Sequence, residues 1–278
     1  MRLHAVPVKA NLSQAEFLEQ HVLARRPVVI KGALDRWNAL RWNPDELKTK
    51  VGHRRVEFRT EGKPATGRFG ELVDRIFDGS SGAPYLRNID VVEQLPELAA
   101  DITPQPVYSQ NNWRSHALMP RQWPAAVKKG AYELFVSPAA ASFPYLHIDY
   151  WGMSAFFAQI CGEKEVILFP PEDAPNLYPS ADDPLVSEIT DLDDLDRYPT
   201  LKGARQHRVT IGAGDLLYNP AWWHTTKTTR TAITVIWAYW NRHEWTQLLS
   251  AVRTAGGIRG RLFAPYLRFV GMCNRYAG

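Results

Sequence analysis

Gly212-Ala-Gly-Asp-Leu-Leu-Tyr-Asn-Pro-Ala-Trp-Trp-His224 carries two reversal signals and a short apolar run within a few residues. Gly212-Ala-Gly214 and Asn219-Pro220 are turn formers, and Leu216 to Tyr218 between them is too short and too apolar for a surface helix. The stretch reads as a short buried strand held between tight turns. The same grammar continues on both sides. Tyr132 to Val136, Tyr145 to Asp149, Ala155 to Ile160, Glu165 to Phe169, Arg208 to Ile211 and Thr231 to Trp240 all read as strands, with Pro170-Pro171 as further punctuation. Many short strands joined by tight turns imply a mainly β sandwich or barrel.

Outside that segment the periodicity changes. Ser13-Gln-Ala-Glu16 is a capping box that opens a helix with Phe17, Leu18, Val22 and Leu23 on its apolar face. Pro27 to Ile30 then reads as a buried strand. Phe69, Leu72, Val73, Ile76 and Phe77 share one helical face closed by Gly79, and Val91 to Ala100 is expected to form another helix. After Asn241 the pattern is helical again, with Trp245, Leu248, Leu249 and Val252 on one side. The expected organisation is one domain over 1–278. Residues 1–131 support it, 132–241 form the β core, and the 242–278 helices either cover the barrel or make a homodimer contact.

Composition narrows the setting. The 278 residues are 45% hydrophobic and 22% charged, ordinary for a globular chain, with a formal charge of +4. The basic residues are scattered, which gives no clear nucleic-acid site. Two cysteines without a CxxC exclude a thiolate zinc site. No apolar run is long enough to cross a membrane and the first ten residues lack signal-peptide shape, so a cytoplasmic protein is expected. Asp182 to Asp196 holds seven carboxylates without EF-hand spacing and reads as a solvated loop.

The chemistry concentrates in Leu146-His147-Ile148-Asp149. On a strand, side chains alternate, so His147 and Asp149 face one way and can share a cation. His224, 75 residues beyond Asp149, is the best third ligand. Two imidazoles and one carboxylate on one face leave open coordination positions and suit Fe(II). Lys164 falls at the start of a predicted core strand. A buried ammonium needs an anion, and the distal carboxylate of 2-oxoglutarate meets that need. Each residue alone is unremarkable: HxD pairs are common, a lone His is usually packed core, and a lone Lys is usually solvated. Their order and spacing together indicate a metal centre.

Phe156-Phe-Ala-Gln-Ile-Cys-Gly-Glu-Lys-Glu-Val-Ile-Leu-Phe-Pro-Pro171, Asn176-Leu-Tyr-Pro179 and the 212–224 stretch together resemble the cupin-like JmjC hydroxylases, in particular the factor-inhibiting-HIF type of asparaginyl hydroxylase. The strong likeness covers about 142–241. It implies a double-stranded β-helix (jelly-roll) core, with flanking helices and a helical C-terminal tail. It implies iron on His147, Asp149 and His224, 2-oxoglutarate on Lys164 with Tyr85 beside it, and O2 as co-substrate. The chain departs from that group near the metal. Pro144 stands where a co-substrate threonine is expected, leaving Ser142 or Tyr145 to substitute, and Ala155 and Ile236 stand in place of asparagines.

The expected reaction is hydroxylation of an amino-acid side chain in a protein, a peptide or a small molecule. N-methyl-lysine demethylation and a non-catalytic cupin-fold binding protein are the alternatives. Trp113, Trp151, Trp222 and Trp223 are candidate pocket walls, and Asn111 and Asn112 are candidate substrate contacts.

Overall fold

The computed structural model describes residues 2–60, 63–110, 118, 132–255 and 257–273. One mixed sheet of eleven strands dominates it. Its N-terminal strands are β1 (Arg2–Ala5), β2 (Val8–Ala10) and β3 (Val28–Lys31). β4 (Arg55–Thr60), β5 (Lys63–Arg68) and β6 (Leu86–Asp90) follow. The core strands are β7 (Glu133–Ser137), β8 (Ser154–Phe169), β9 (Arg205–Gly212), β10 (Leu216–Asn219) and β11 (Trp223–Tyr239). The main path runs β2-β3-β10-β8-β11-β7-β6-β4-β5, with β9 joining β8 to β1.

β8 and β11 form the spine. The sequence suggests two strands, Ala155 to Ile160 and Glu165 to Phe169, where the structure has one. Likewise, the predicted strand at Thr231 starts eight residues earlier, at Trp223. β8 is shared by two walls. Its first half pairs β10 on one side and the end of β11 on the other. Its second half pairs β9 and the start of β11. The register breaks between the halves, where Gly162 adopts φ +71°. A Cβ there would collide with the Thr231 carbonyl oxygen, so the crossing of the two strands requires glycine.

The main core lies between this sheet and the N-terminal helices, around Phe17, Trp37, Trp42, Phe69 and Phe156. Ser13 caps α1 (Gln14–Phe17) through the expected capping box, and the chain continues as a wider π-type turn over Leu18–Leu23. That turn buries His21 and Val22 and leaves Leu23 outside. α2 (Pro44–Val51) starts at Asn43, and α3 (Phe69–Phe77) follows the predicted apolar stripe. The helix expected over Val91 to Ala100 is divided into α4 (Val91–Gln94) and a 3-10 segment, Pro96–Ile102. Pro96 has no N–H to continue the ladder and forces Leu95 out of helical geometry.

At the other end, α5 (Trp245–Ala255) and α6 (Gly257–Cys273) pack on Met153 and Trp240 through Trp245, Leu248, Val252, Leu267 and Val270. Among the described residues no helix is long and apolar enough to cross a membrane.

Candidate metal centre

His224 is the second residue of β11 and is buried. Strand alternation turns it, and Thr226 after it, toward the inside of the sheet, while Trp223 turns into a separate core cluster with Phe169 and Leu177. The expected strand over Tyr145 to Asp149 does not form. The segment runs extended instead and is clipped from both sides by single bridges. His147 N–H donates to the His224 carbonyl (3.1 Å) and His224 N–H donates back (2.7 Å). On the other flank, Ile148 N–H donates to Leu185 O and Ser187 N–H to Leu146 O, both at 2.9 Å. The acidic insert is therefore a loop that also braces the ligand segment.

The outcome for the side chains is the one alternation would have given. One ligand atom each from His147, Asp149 and His224 lies within 4.8 Å of the others. The imidazole centroids are 4.2 Å apart, and His147 Nε2 is 3.8 Å from Asp149 Oδ1. Phe143 stacks on His147 (4.7 Å) and Phe157 stands edge-on to His224 (5.5 Å). Burial, and then the neighbouring His224, hold His147 well below the usual imidazole range. Burial pushes the Asp149 carboxyl up, opposed by His224.

His147 Nδ1 is buried with no hydrogen-bond partner. His224 Nδ1 lies 3.0 Å from the Trp222 carbonyl, and as donor there it leaves the Nε2 lone pair free. Fully buried Asn219 tightens that loop, its Oδ1 accepting from Trp222 N–H (3.0 Å) and its Nδ2 lying 3.0 Å from His224 Nδ1. Two imidazoles and a carboxylate are a donor set that fits a divalent metal ion.

Beside the ligands is a small cavity, about 90 Å³, walled by Phe135, Phe143, Phe157, Ile211 and Ile236. Lys164, 2% exposed, reaches into it. Its Nζ donates to Tyr85 Oη (3.1 Å) and sits 5.1 Å from the centre of that ring. Among the described residues no carboxylate pairs with it. The cavity thus has metal-type donors, the Lys164 ammonium and a further carboxylate, Glu133, on its walls.

Other expected residues fall elsewhere. Ser142 and Tyr145 line a separate polar cleft with Glu165, Asp193 and Arg208, because the extended 142–147 segment turns Phe143 and His147 inward. The hydroxyl that does line the metal cavity is Thr226, which alternation from His224 could have found. Trp222 is not a wall of this cavity: its indole N–H donates to Arg25 O and its ring meets His207, in a cleft on the far side. Ile236 is a wall residue, so the position where the JmjC resemblance expects an asparagine carries only apolar surface. Trp151 occupies a 3-10 turn, Tyr150–Gly152, and its side chain is outside the described set, as are Asn111, Asn112 and Trp113.

Two His and one carboxylate beside a curled β sheet, next to a buried lysine, form a group that could hold a single metal ion. The chain belongs to the cupin-like domain family, whose model matches residues 14–247. It is 28% identical over 251 residues to the mouse tRNA wybutosine-synthesizing protein 5, covering 78% of this chain and 72% of that protein. It is 27% identical over 290 residues to the human bifunctional peptidase and (3S)-lysyl hydroxylase JMJD7, covering 87% of each. Lysine-specific demethylase 8 of Xenopus tropicalis is 23% identical over 79% of this chain and 49% of its own length. The match shows membership at the level of the cupin-like domain.

Proposed function

We propose that this chain is an Fe(II)- and 2-oxoglutarate-dependent dioxygenase that hydroxylates an amino-acid-type side chain in a protein, a peptide or a small molecule. The observation that carries the reading is the convergence of His147, Asp149 and His224 beside the buried Lys164. The names of the human and frog relatives support protein-residue chemistry, hydroxylation in one and demethylation in the other. The name of the mouse relative adds a tRNA-linked substrate to the possibilities.

When bound, iron and 2-oxoglutarate supply O2 activation, coupling decarboxylation of the keto acid to oxidation of a C–H bond. The chain's own residues do the rest. His147, Asp149 and His224 would hold the metal from one side and leave the other open. The Trp222 carbonyl and the Asn219 side chain would hold the His224 ring in place. Lys164 and Tyr85 would grip the far carboxylate of the keto acid, and Thr226 offers a hydroxyl on the same wall. The surrounding Phe and Ile side chains keep water out, which strengthens each of these contacts.

Anaerobic addition of Fe(II) and 2-oxoglutarate to the purified chain is expected to give the weak visible charge-transfer band of the chelate. A chain that binds without turnover chemistry would give none, and that result would sink the reading. Formaldehyde release from methylated lysine peptides, in place of a +16 mass shift, would move the assignment to demethylation.

The chain's setting and assembly belong to the same proposal. Two unbridged cysteines, Cys161 and Cys273, agree with a cytoplasmic location. α6 exposes Ile258, Leu262, Phe269 and Met272, apolar residues that a homodimer through the C-terminal helices would cover. Sedimentation equilibrium is expected to give twice the chain mass, and Leu262→Glu with Phe269→Glu is expected to return a monomer. A wild-type monomer at micromolar concentration would remove the dimer.

A further inference from the structure

The cleft on the far side of Trp222 has a volume of about 570 Å³, within the size range of small-molecule sites. His4, Arg25, Arg26, Arg205, His207 and Trp222 are among its walls. These residues are scattered along the sequence, and the fold gathers them.

Three of the walls are rings in contact. His4 stacks on His207 (centroids 4.8 Å apart, planes at 18°), and His207 meets Trp222 edge-on (4.9 Å, 76°). Trp222 is buried, and its indole N–H donates to the Arg25 carbonyl (3.0 Å). His4, at the outer end, is exposed. The ladder is fixed at its inner end and accessible at its outer one, which suits it to carry a further planar ring.

The cations divide into two kinds. Arg205 is engaged: it binds Asp173 (2.9 Å) and reaches Glu172 (3.5 Å), which among the described residues is the one carboxylate on the cleft walls. Among the described residues no hydrogen bond or ion pair engages the side chain of Arg25 or Arg26. Arg25 also stands where an arginine is out of place. The turn over Leu18–Leu23 ends with Arg25 N–H donating to Val22 O (3.2 Å) and Arg26 N–H donating to His21 O (2.9 Å). Those paired bonds form a helix stop whose left-handed residue is ordinarily glycine. Arg25 takes that conformation, φ +50°, against the preference of a residue with a Cβ. A long cationic side chain without a partner gives the stop no support, and a ligand is the use left for it.

We propose that this cleft binds a nucleotide, with the phosphate on Arg25 and Arg26 and the base against the His4–His207 stack. The nucleotide is either free or part of a single-stranded RNA. The site does not depend on the oxygenase reading. It lies behind the metal centre, because Trp222 lines the cleft while its carbonyl meets His224 Nδ1 (3.0 Å).

The test takes the ligand apart. AMP, adenosine and ribose 5-phosphate are titrated calorimetrically into the metal-free full chain. AMP is expected to bind at least about tenfold tighter than adenosine, which lacks the charge-assisted contact. It is expected to bind at least about fivefold tighter than ribose 5-phosphate, which lacks the stacking ring. An oligoadenylate of about eight nucleotides separates the two sources. At least about tenfold tighter binding than AMP, falling steeply with salt, assigns the cleft to a strand, and equal affinity assigns it to the free nucleotide.

Arg25→Gly is expected to weaken AMP binding at least about tenfold. The Tm of the ligand-free variant is expected to equal or exceed that of wild type, since glycine suits the left-handed stop. His4→Ala is expected to lose the advantage of AMP over ribose 5-phosphate and to keep its advantage over adenosine. No measurable AMP binding, AMP no tighter than adenosine or than ribose 5-phosphate, or AMP affinity that survives Arg25→Gly each overturns the proposal. Should Arg25→Gly lower the Tm, Arg26→Gln decides on an exposed side chain: unchanged AMP affinity there overturns the proposal, and an at least about fivefold loss at unchanged Tm upholds it.

Discussion

Asp149→Ala is expected to abolish 2-oxoglutarate turnover while leaving a folded chain. Losing even an outer partner of a metal ligand costs roughly 10–100-fold, so removing the ligand itself is expected to push succinate formation below about one-hundredth of wild type. His147→Ala and His224→Ala should behave alike. The physical point is that these groups do little for the metal-free fold. Burial raises the Asp149 carboxyl, and His147 Nδ1 has no partner, so both are costs that a metal ion offsets. The Tm of metal-free Asp149→Ala is therefore expected to equal or exceed that of wild type. Mn(II) should raise the wild-type Tm by mass action and leave the variant unmoved. A variant that still makes succinate, or still gains Tm with Mn(II), would remove Asp149 from the ligand set.

Lys164→Ala is expected to act on the keto acid and not on the metal. A hydrogen bond to a charged group contributes about 1.5–3 kcal/mol, which corresponds to roughly a 10–100-fold rise in KM for 2-oxoglutarate. The Mn(II)-induced Tm shift should survive. Tyr85→Phe removes only the hydroxyl that accepts from Lys164 Nζ, so its KM should rise less, by about 2–10-fold. An unchanged KM in Lys164→Ala would transfer the role to another residue.

Much of this centre was legible before any coordinates. His147, Asp149, His224 and Lys164 could be picked out because each side chain has a narrow chemical use and because period-two alternation predicts facing. Strand alternation is nonetheless not what turns His147 and Asp149 to one side. Their segment is not a strand, and they face one way because bridges to His224 and to the acidic insert hold the backbone extended. No local pattern encodes such bridges.

Ser142, Tyr145 and Trp222 do not line the cavity beside Lys164, for a related reason. Ser142, Tyr145 and Trp222 are near the ligands in sequence, but which wall each one faces is set by strands arriving from elsewhere. Thr226 needed only one more step of alternation from His224. The fusion of two predicted strands into β8 was hidden by Gly162, which reads as a turn and acts as a bulge at a crossing.

The two halves of the centre are anchored with unequal firmness. His224 and Lys164 belong to long, doubly paired strands whose amides should open only with the whole domain. His147 and Asp149 hang on a handful of backbone clips to one strand and one acidic loop. Fluctuation of that loop would release two of the three donors without disturbing the grip on the keto acid. For a metal ion held by these three residues, exchange is expected to be kinetically separable from global unfolding, with chelator-induced loss governed by the acidic insert.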